Sequence, residues 1–203
     1  MTADDVAGFG RALAAGGVVL FPSDTVYGLA ADPGSAAAVH RLCALKGRPP
    51  ERPSAVMFFG LEPALEALSE LGPRTLGALE ALLPGPITLV LPNPERRYPL
   101  ACGPRPECLG LRVPRLTGAL EPLGAVARPV LQSSANRSGA VEASRLADVD
   151  EVVRAGVDLE LDGGELPGTA STVVDLASYE EDGRFEVLRE GAVPAARVAA
   201  KLE

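Results

Sequence analysis

Basic residues other than arginine are scarce in this chain of 203 residues. Among its 19 lysines and arginines only Lys46 and Lys201 are lysines, and His40 is the single histidine. The three cysteines, Cys43, Cys102 and Cys108, are odd in number and nowhere spaced C-x-x-C. With one histidine they exclude a structural zinc site, and no metal ligand can be named. A Cys102–Cys108 disulfide remains conceivable, and a reducing compartment works against it. No apolar run approaches the roughly 18 residues a membrane span needs. The opening "MTADD" is acidic, unlike the basic start of a secretory signal. These absences predict a cytoplasmic protein with no membrane contact. Positive charge is also short overall: the formal net charge is -8 and the sequence pI is near 4.8. That argues against a surface built broadly for phosphate backbones. One local exception stands between residues 95 and 115, where Arg96, Arg97, Arg105, Arg112 and Arg115 outnumber Glu95 and Glu107. This stretch reads either as a solvated face or as a weak contact for tRNA.

A hydrophobic content of 47% supplies a sizeable core, and the length suits one domain, 1–203. Thr2 reads as the N-cap of a helix over residues 3–15 that stops at Gly16 and Gly17. "GVVLFP" reads as a buried strand and the polar, glycine-containing "SDTVYGLAADPGS" after it as a loop. "SAAAVHRLCALK" has the alanine content and apolar stripe of a helix, ended by Gly47 and Pro49. "SAVMFF", "PITLVLP", "LGLRVP" and "PVLQSS" read as strands. Helices are expected over 62–71 and 73–83, with Pro73 in the first turn of the second, and a short helical piece over 117–126. Ser144 is expected to cap a helix through Arg154. "VDLELDGG", "STVVDL" and "RFEVLRE" are further strands before a last helix beyond Pro194. Helices and strands alternate early and strands dominate late. The pattern predicts an α/β fold with a mixed sheet flanked by helices.

Three segments could carry chemistry, and each also has a structural explanation. Lys46 and Arg48 follow a helix, where cations complement the negative end of the dipole. They could equally reach the phosphates of a nucleotide, lysine as a compact charge and arginine as a fork. "SSANRSG", residues 133–139, could present donors to an anion or close an Asx or Ser turn on itself. "DGGELPGTASTVVDL" is rich in glycine but lacks the G-K-[ST] ending of a phosphate-binding loop, and a strand follows it. His40 lies in mid-helix with no second ligand nearby. Asp4-Asp5 and Glu180-Glu181-Asp182 read as solvated charge and helix-start chemistry.

Taken in order, "FPSDTVYGLAAD", "LKGRP", "LLPGPITLVLP", "LGLRVP", "SSAN.SG", "DGG…STVVDL" and "VLREGA" resemble the YrdC-like family of threonylcarbamoyl-AMP synthases from about residue 10 to 194. The resemblance implies a twisted α/β domain with a concave ligand-binding face. It implies a nucleotidyltransferase that joins L-threonine, bicarbonate and ATP into L-threonylcarbamoyl-adenylate and pyrophosphate, the first stage of t6A modification of tRNA. By the same resemblance Lys46 and Arg48 face the triphosphate. Ser134, Asn136 and Arg189 hold ATP with Arg48, and Arg52 stands beside them. Thr25 and Arg112 hold threonine, with Met57 and Gln132 in the same pocket. Mg2+ is implied as held mainly by ATP phosphates and water, and downstream t6A-modification proteins as the acceptors of the adenylate.

The chain departs from the family pattern at Ser23, Ser54, Met57 and Gln132; Met57 stands where many longer members have histidine. It also has the length of the short, single-domain form. Two other functions compete: an RNA-binding or ribosome-associated module, and a carbamoyl-phosphate-using transferase like the similar domain of hydrogenase-maturation proteins. For the synthase, Lys46→Ala and Arg48→Ala are expected to cost far more activity than stability. An exposed charge at a helix end contributes only about 0.3–1 kcal/mol.

Overall fold

The Thr2 hydroxyl accepts the Asp5 amide, and the Asp5 carboxylate accepts the Thr2 amide, closing a capping box ahead of α1 (Ala3–Ala14). The structure, a computed structural model, describes residues 1–202. Gly16, at φ 77°, takes the left-handed turn that ends this helix and leads into β1 (Val19–Pro22).

The next segment departs from expectation. Residues 23–35 are not all loop: Ser23–Val26 form a turn and β2 (Tyr27–Ala31) follows, buried along its whole length. β2 pairs antiparallel with β1 on one side and with β6 (Val130–Ser134) on the other. Its small residues look loop-like in sequence, yet they serve close packing. A Cβ on Gly28 would stand 2.9 Å from Gln132 Nε2 and 3.3 Å from the Ser133 carbonyl. Pairing on both edges here overrides local propensity.

The remaining elements are α2 (Ala36–Leu45), β3 (Ala55–Met57), α3 (Leu61–Ala67), α4 (Pro73–Leu82), β4 (Ile87–Pro92), α5 (Pro99–Cys102) and β5 (Cys108–Arg112). After β6 come α6 (Glu151–Ala155), β7 (Leu159–Glu160), β8 (Thr172–Asp175), α7 (Tyr179–Asp182), β9 (Glu186–Arg189) and α8 (Ala195–Leu202). The helical piece near 117–126 is a 3-10 stretch, Gly118–Ala125. α5 falls between "PITLVLP" and "LGLRVP", where the sequence reading places no element. The helix expected from Ser144 shrinks to α6, and its cap is Asp150, whose carboxylate accepts the Val152 amide. The Ser144 carbonyl is engaged instead by the Leu166 amide at 2.8 Å, and the residues after it make only a 3-10 turn, Leu146–Asp148. Glu180 lies with Glu181 and Asp182 in the first turn of α7 and also serves the start of α4, where its carboxylate accepts both the amide and the hydroxyl of Thr75.

Among the described residues all nine strands belong to one mixed sheet, ordered β7-β1-β2-β6-β3-β5-β4-β8-β9. One face buries the larger core, with Leu20, Leu29, Val56, Leu89, Leu111 and Leu131 on the strands and Leu42, Leu79 and Val198 on covering helices. On the other face α1 covers a smaller cluster, in which the rings of Phe9, Phe21 and Phe59 meet edge-on at 5.5–6.2 Å. Such contacts each add about 0.5–1.5 kcal/mol beyond area burial. Side chains two apart share a face. Gln132 therefore lies beside Val130, and Ala55 beside Met57, so the apolar cluster runs directly into a polar cleft.

Candidate active site

The end of α2 sets the first two side chains of that cleft. Gly47, at φ 58°, lets the Gly47 and Arg48 amides turn back to the carbonyls of Ala44 and Cys43, satisfying the helix end. The reversal turns Lys46 toward the end of β6. Its ammonium donates to the main-chain carbonyl of Ser134 and, at 2.6 Å, to that of Asn136. The Ser138 amide returns to the Lys46 carbonyl at 2.8 Å. Lys46 is 4% exposed, and this burial, with the Arg48 charge second, lowers its pKa to about 8. It is thus built into the wall and is not the exposed cation expected at a helix end. Its carbonyl partners belong to a turn that is remote in sequence.

Arg48 is also fastened. Nη1 donates to Ser133 Oγ at 3.1 Å, and Nη2 to Ser54 Oγ at 2.6 Å and the carbonyls of Arg52 and Pro53. Its Nε is buried without a partner, and burial lowers its pKa. The "SSANRSG" turn satisfies itself as well as lining the cleft: Ser134 Oγ bonds Asn136 Oδ1, and Asn136 Nδ2 bonds the Ala140 carbonyl, each at 2.5 Å.

Arg112, at the end of β5, is almost wholly buried. Its Nη2 donates to Asp24 Oδ1 at 2.5 Å and to Thr25 Oγ1 at 2.7 Å, while its Nε has no partner. Ser23 Oγ stands 3.0 Å from Thr25 Oγ1 and bonds the Val26 carbonyl, fixing the turn that presents both residues. Across the cleft, Arg189 on β9 leans on Ser171, with Nη2 2.8 Å from its carbonyl.

These groups surround one cleft of about 620 Å³. Lys46, Arg48, Arg52, Arg112 and Arg189 all line it, against Glu142 as its one lining carboxylate among the described residues. The local field is therefore opposite in sign to the chain's net charge of -8. Ser134, Asn136 and Gln132 also line the cleft. Thr25 does not; it is fully buried behind Arg112. Met57 does not either. It is fully buried in the apolar cluster with Phe21 and Phe59, because the cleft floor ends at Ala55 and α1 covers the sheet beyond it.

Four further residues hold these side chains without having been given a role from the sequence: Asp24, beside Thr25 in "SDT", Ser54, and Ser133 and Ser171, which lie in the candidate segments "SSANRSG" and "DGGELPGTASTVVDL". The arginine-rich stretch is mostly consumed internally: Arg97 pairs with Glu70, Arg105 with Glu107 and Arg112 with Asp24. The three cysteines are free and buried, so Cys102 and Cys108 are not bridged. No helix among the described residues is long and apolar enough to cross a membrane.

The family model Sua5_yciO_yrdC, described as telomere recombination, matches residues 11–191. The chain belongs to the Sua5/YciO/YrdC family. Its relatives in this family include the threonylcarbamoyl-AMP synthase of Pyrococcus abyssi, 34% identical over 181 residues, which are 88% of this chain and 52% of that protein. The synthase of Chromohalobacter salexigens is 37% identical over 185 residues, 88% of this chain and 96% of that protein. The crystal structure of P. abyssi Sua5 complexed with L-threonine matches with a TM-score of 0.85 at 30% identity, covering 99% of this chain and 58% of that one. The chain therefore spans about half the length of its archaeal Sua5/YrdC relative and nearly all of the bacterial one.

Proposed function

We propose that this chain is an ATP-dependent L-threonylcarbamoyladenylate synthase, a nucleotidyltransferase acting in the cytoplasm at the first stage of tRNA t6A formation. The observation that carries the reading is the convergence of Lys46, Arg48, Arg112, Arg189, Ser134 and Asn136 on one cleft. The similarity to threonylcarbamoyl-AMP synthases and to a threonine-bound Sua5 structure supports it.

In this reading Arg112 takes the threonine carboxylate, with Gln132 lining that end and Thr25 supporting the guanidinium from behind. Arg48, Arg52, Ser134, Asn136 and Arg189 take ATP, and Lys46 fixes the turn that carries two of them. Threonine's amine and bicarbonate give a carbamate and water. A carbamate oxygen then attacks the α-phosphorus, and the bond to pyrophosphate breaks. The transfer asks for alignment and charge neutralisation without a protein nucleophile. Cations that are already buried and bonded suit it, because they need little reorganisation as charge shifts toward the leaving group.

Glu142 is the one carboxylate lining the cleft among the described residues, so a Mg2+ ion would be held mainly by water and by phosphate oxygens of the bound nucleotide. When bound, the ion neutralises phosphate charge. The unstable adenylate passes to the t6A-modification proteins that act next.

The test is pyrophosphate release from ATP. It is expected only when threonine and bicarbonate are both present. ATP turnover indifferent to threonine would remove the proposal.

A further inference from the structure

Asp24 touches the proposed amino-acid end of the cleft only through another residue. It is absent from the cleft lining and belongs instead to a separate cavity of about 480 Å³, with Ser23, Pro86 and Arg115, on the other side of the Ser23–Val26 turn. Its two oxygens point to different tasks. Oδ1 receives Arg112 Nη2 at 2.5 Å, and Oδ2 receives the Arg115 amide at 2.9 Å. The pair is largely shielded from water, with side-chain exposures of 4% for Arg112 and 8% for Asp24.

The donors of Arg112 are therefore divided. Nη2 spends its hydrogens on Asp24 and Thr25, while Nε, buried and unpartnered, and Nη1 are left for other acceptors. A buried guanidinium donor without a partner is costly unless a ligand supplies one. A long side chain fixed before binding also loses less rotamer freedom when the ligand arrives. Finally, a carboxylate already beside the guanidinium offsets its charge, so an incoming carboxylate is held by aligned hydrogen bonds more than by net attraction.

We infer that Asp24 is the positioning residue for Arg112: from behind the cleft it fixes the guanidinium so that the remaining donors meet the carboxylate of the amino-acid substrate. The inference rests on the amino-acid role proposed for Arg112. A purely structural ion pair, the alternative, would stabilise the turn and leave ligand affinity to follow the fold as a whole.

The two are separated by a double-mutant cycle read by calorimetry, with L-threonine and a non-hydrolysable ATP analogue titrated separately. Asp24→Ala is expected to weaken threonine roughly tenfold while the ATP analogue stays within about twofold. In an Arg112→Ala background the same Asp24→Ala change is expected to move threonine affinity by less than about twofold, because nothing remains to be positioned. Asp24→Asn keeps the shape and one acceptor oxygen, and carries the same comparison if Asp24→Ala does not fold. Additive losses in the two backgrounds, unchanged threonine affinity, or equal losses for both ligands each overturn the inference and leave the proposed function standing. If Arg112→Ala itself leaves threonine affinity unchanged, the amino-acid site proposed above falls with it.

Discussion

The ammonium of Lys46 stands 2.6 Å from the carbonyl oxygen of Asn136 and also donates to the carbonyl of Ser134, so one side chain ties the end of α2 to the turn after β6. That turn carries two of the proposed nucleotide contacts. The lysine is thus a brace whose failure would be felt in both folding and binding.

Lys46→Ala is expected to lower unfolding free energy by about 1.5–3 kcal/mol, the scale of hydrogen bonds made by a charged group. This exceeds what an exposed helix-end cation would contribute. Urea denaturation midpoints check it, and nucleotide affinity should fall in the same variant because the turn loses its anchor. A variant with native stability and native affinity would contradict the brace.

The lowered pKa of Lys46 gives a pH dependence of definite sign. Below about pH 8 the ammonium is charged in both folded and unfolded chains. Between about 8 and its ordinary 10.5 the folded protein loses the proton first. The unfolded chain then binds more protons, and this group's contribution to stability rises with pH. Cys43, Cys102 and Cys108, with pKa values raised by burial, act in the opposite direction from about pH 9 upward. The Lys46 contribution is therefore read as the stability of the native protein minus that of Lys46→Gln, which should increase from pH 8 to 10. Nucleotide affinity of the native protein should fall across the same interval.

Arg189 is exposed on an edge strand, and among the described residues its side chain bonds only Ser171. Arg189→Ala should change stability by no more than about 0.5 kcal/mol while weakening the ATP analogue roughly tenfold. Fluorescence-detected nucleotide titration and a thermal melt together check this. Lost stability with retained affinity would assign the residue to the sheet edge alone.

Ala55, which lines the cleft, pairs with Gly110 where β3 and β5 run side by side. A Cβ on Gly110 would come within 3.2 Å of both the Ala55 Cα and the Ser54 carbonyl, atoms of a backbone that cannot easily yield. Gly110→Ala should destabilise by about 1–3 kcal/mol. It should also disturb Arg48, whose Nη2 bonds Ser54 Oγ. A denaturation midpoint equal to that of the native protein would show that the two strands have room to part.

Much of this architecture was legible from short-range signals. The cap at Thr2, the helix stop at Gly47, the proline start of α4 and the apolar runs of β1, β4, β6 and β8 are decided by residues within a few positions of each other. Local hydrogen bonds at the helix ends and side-chain periodicity in the strands therefore make these elements legible without knowledge of their tertiary partners. The ordered motifs likewise brought Lys46, Arg48, Arg112, Ser134, Asn136 and Arg189 into consideration together. What only the tertiary structure decided is how those groups are held. Lys46 and Ser134 are 88 residues apart, as are Arg112 and Asp24. No local pattern announces such pairs. The burial of β2 depended on two partner strands, and the loss of Met57 to the apolar cluster depended on where α1 lies across the sheet. In each case burial and partner were set by chain crossings, and these also determine which charges are braced and which donors stay open to a ligand.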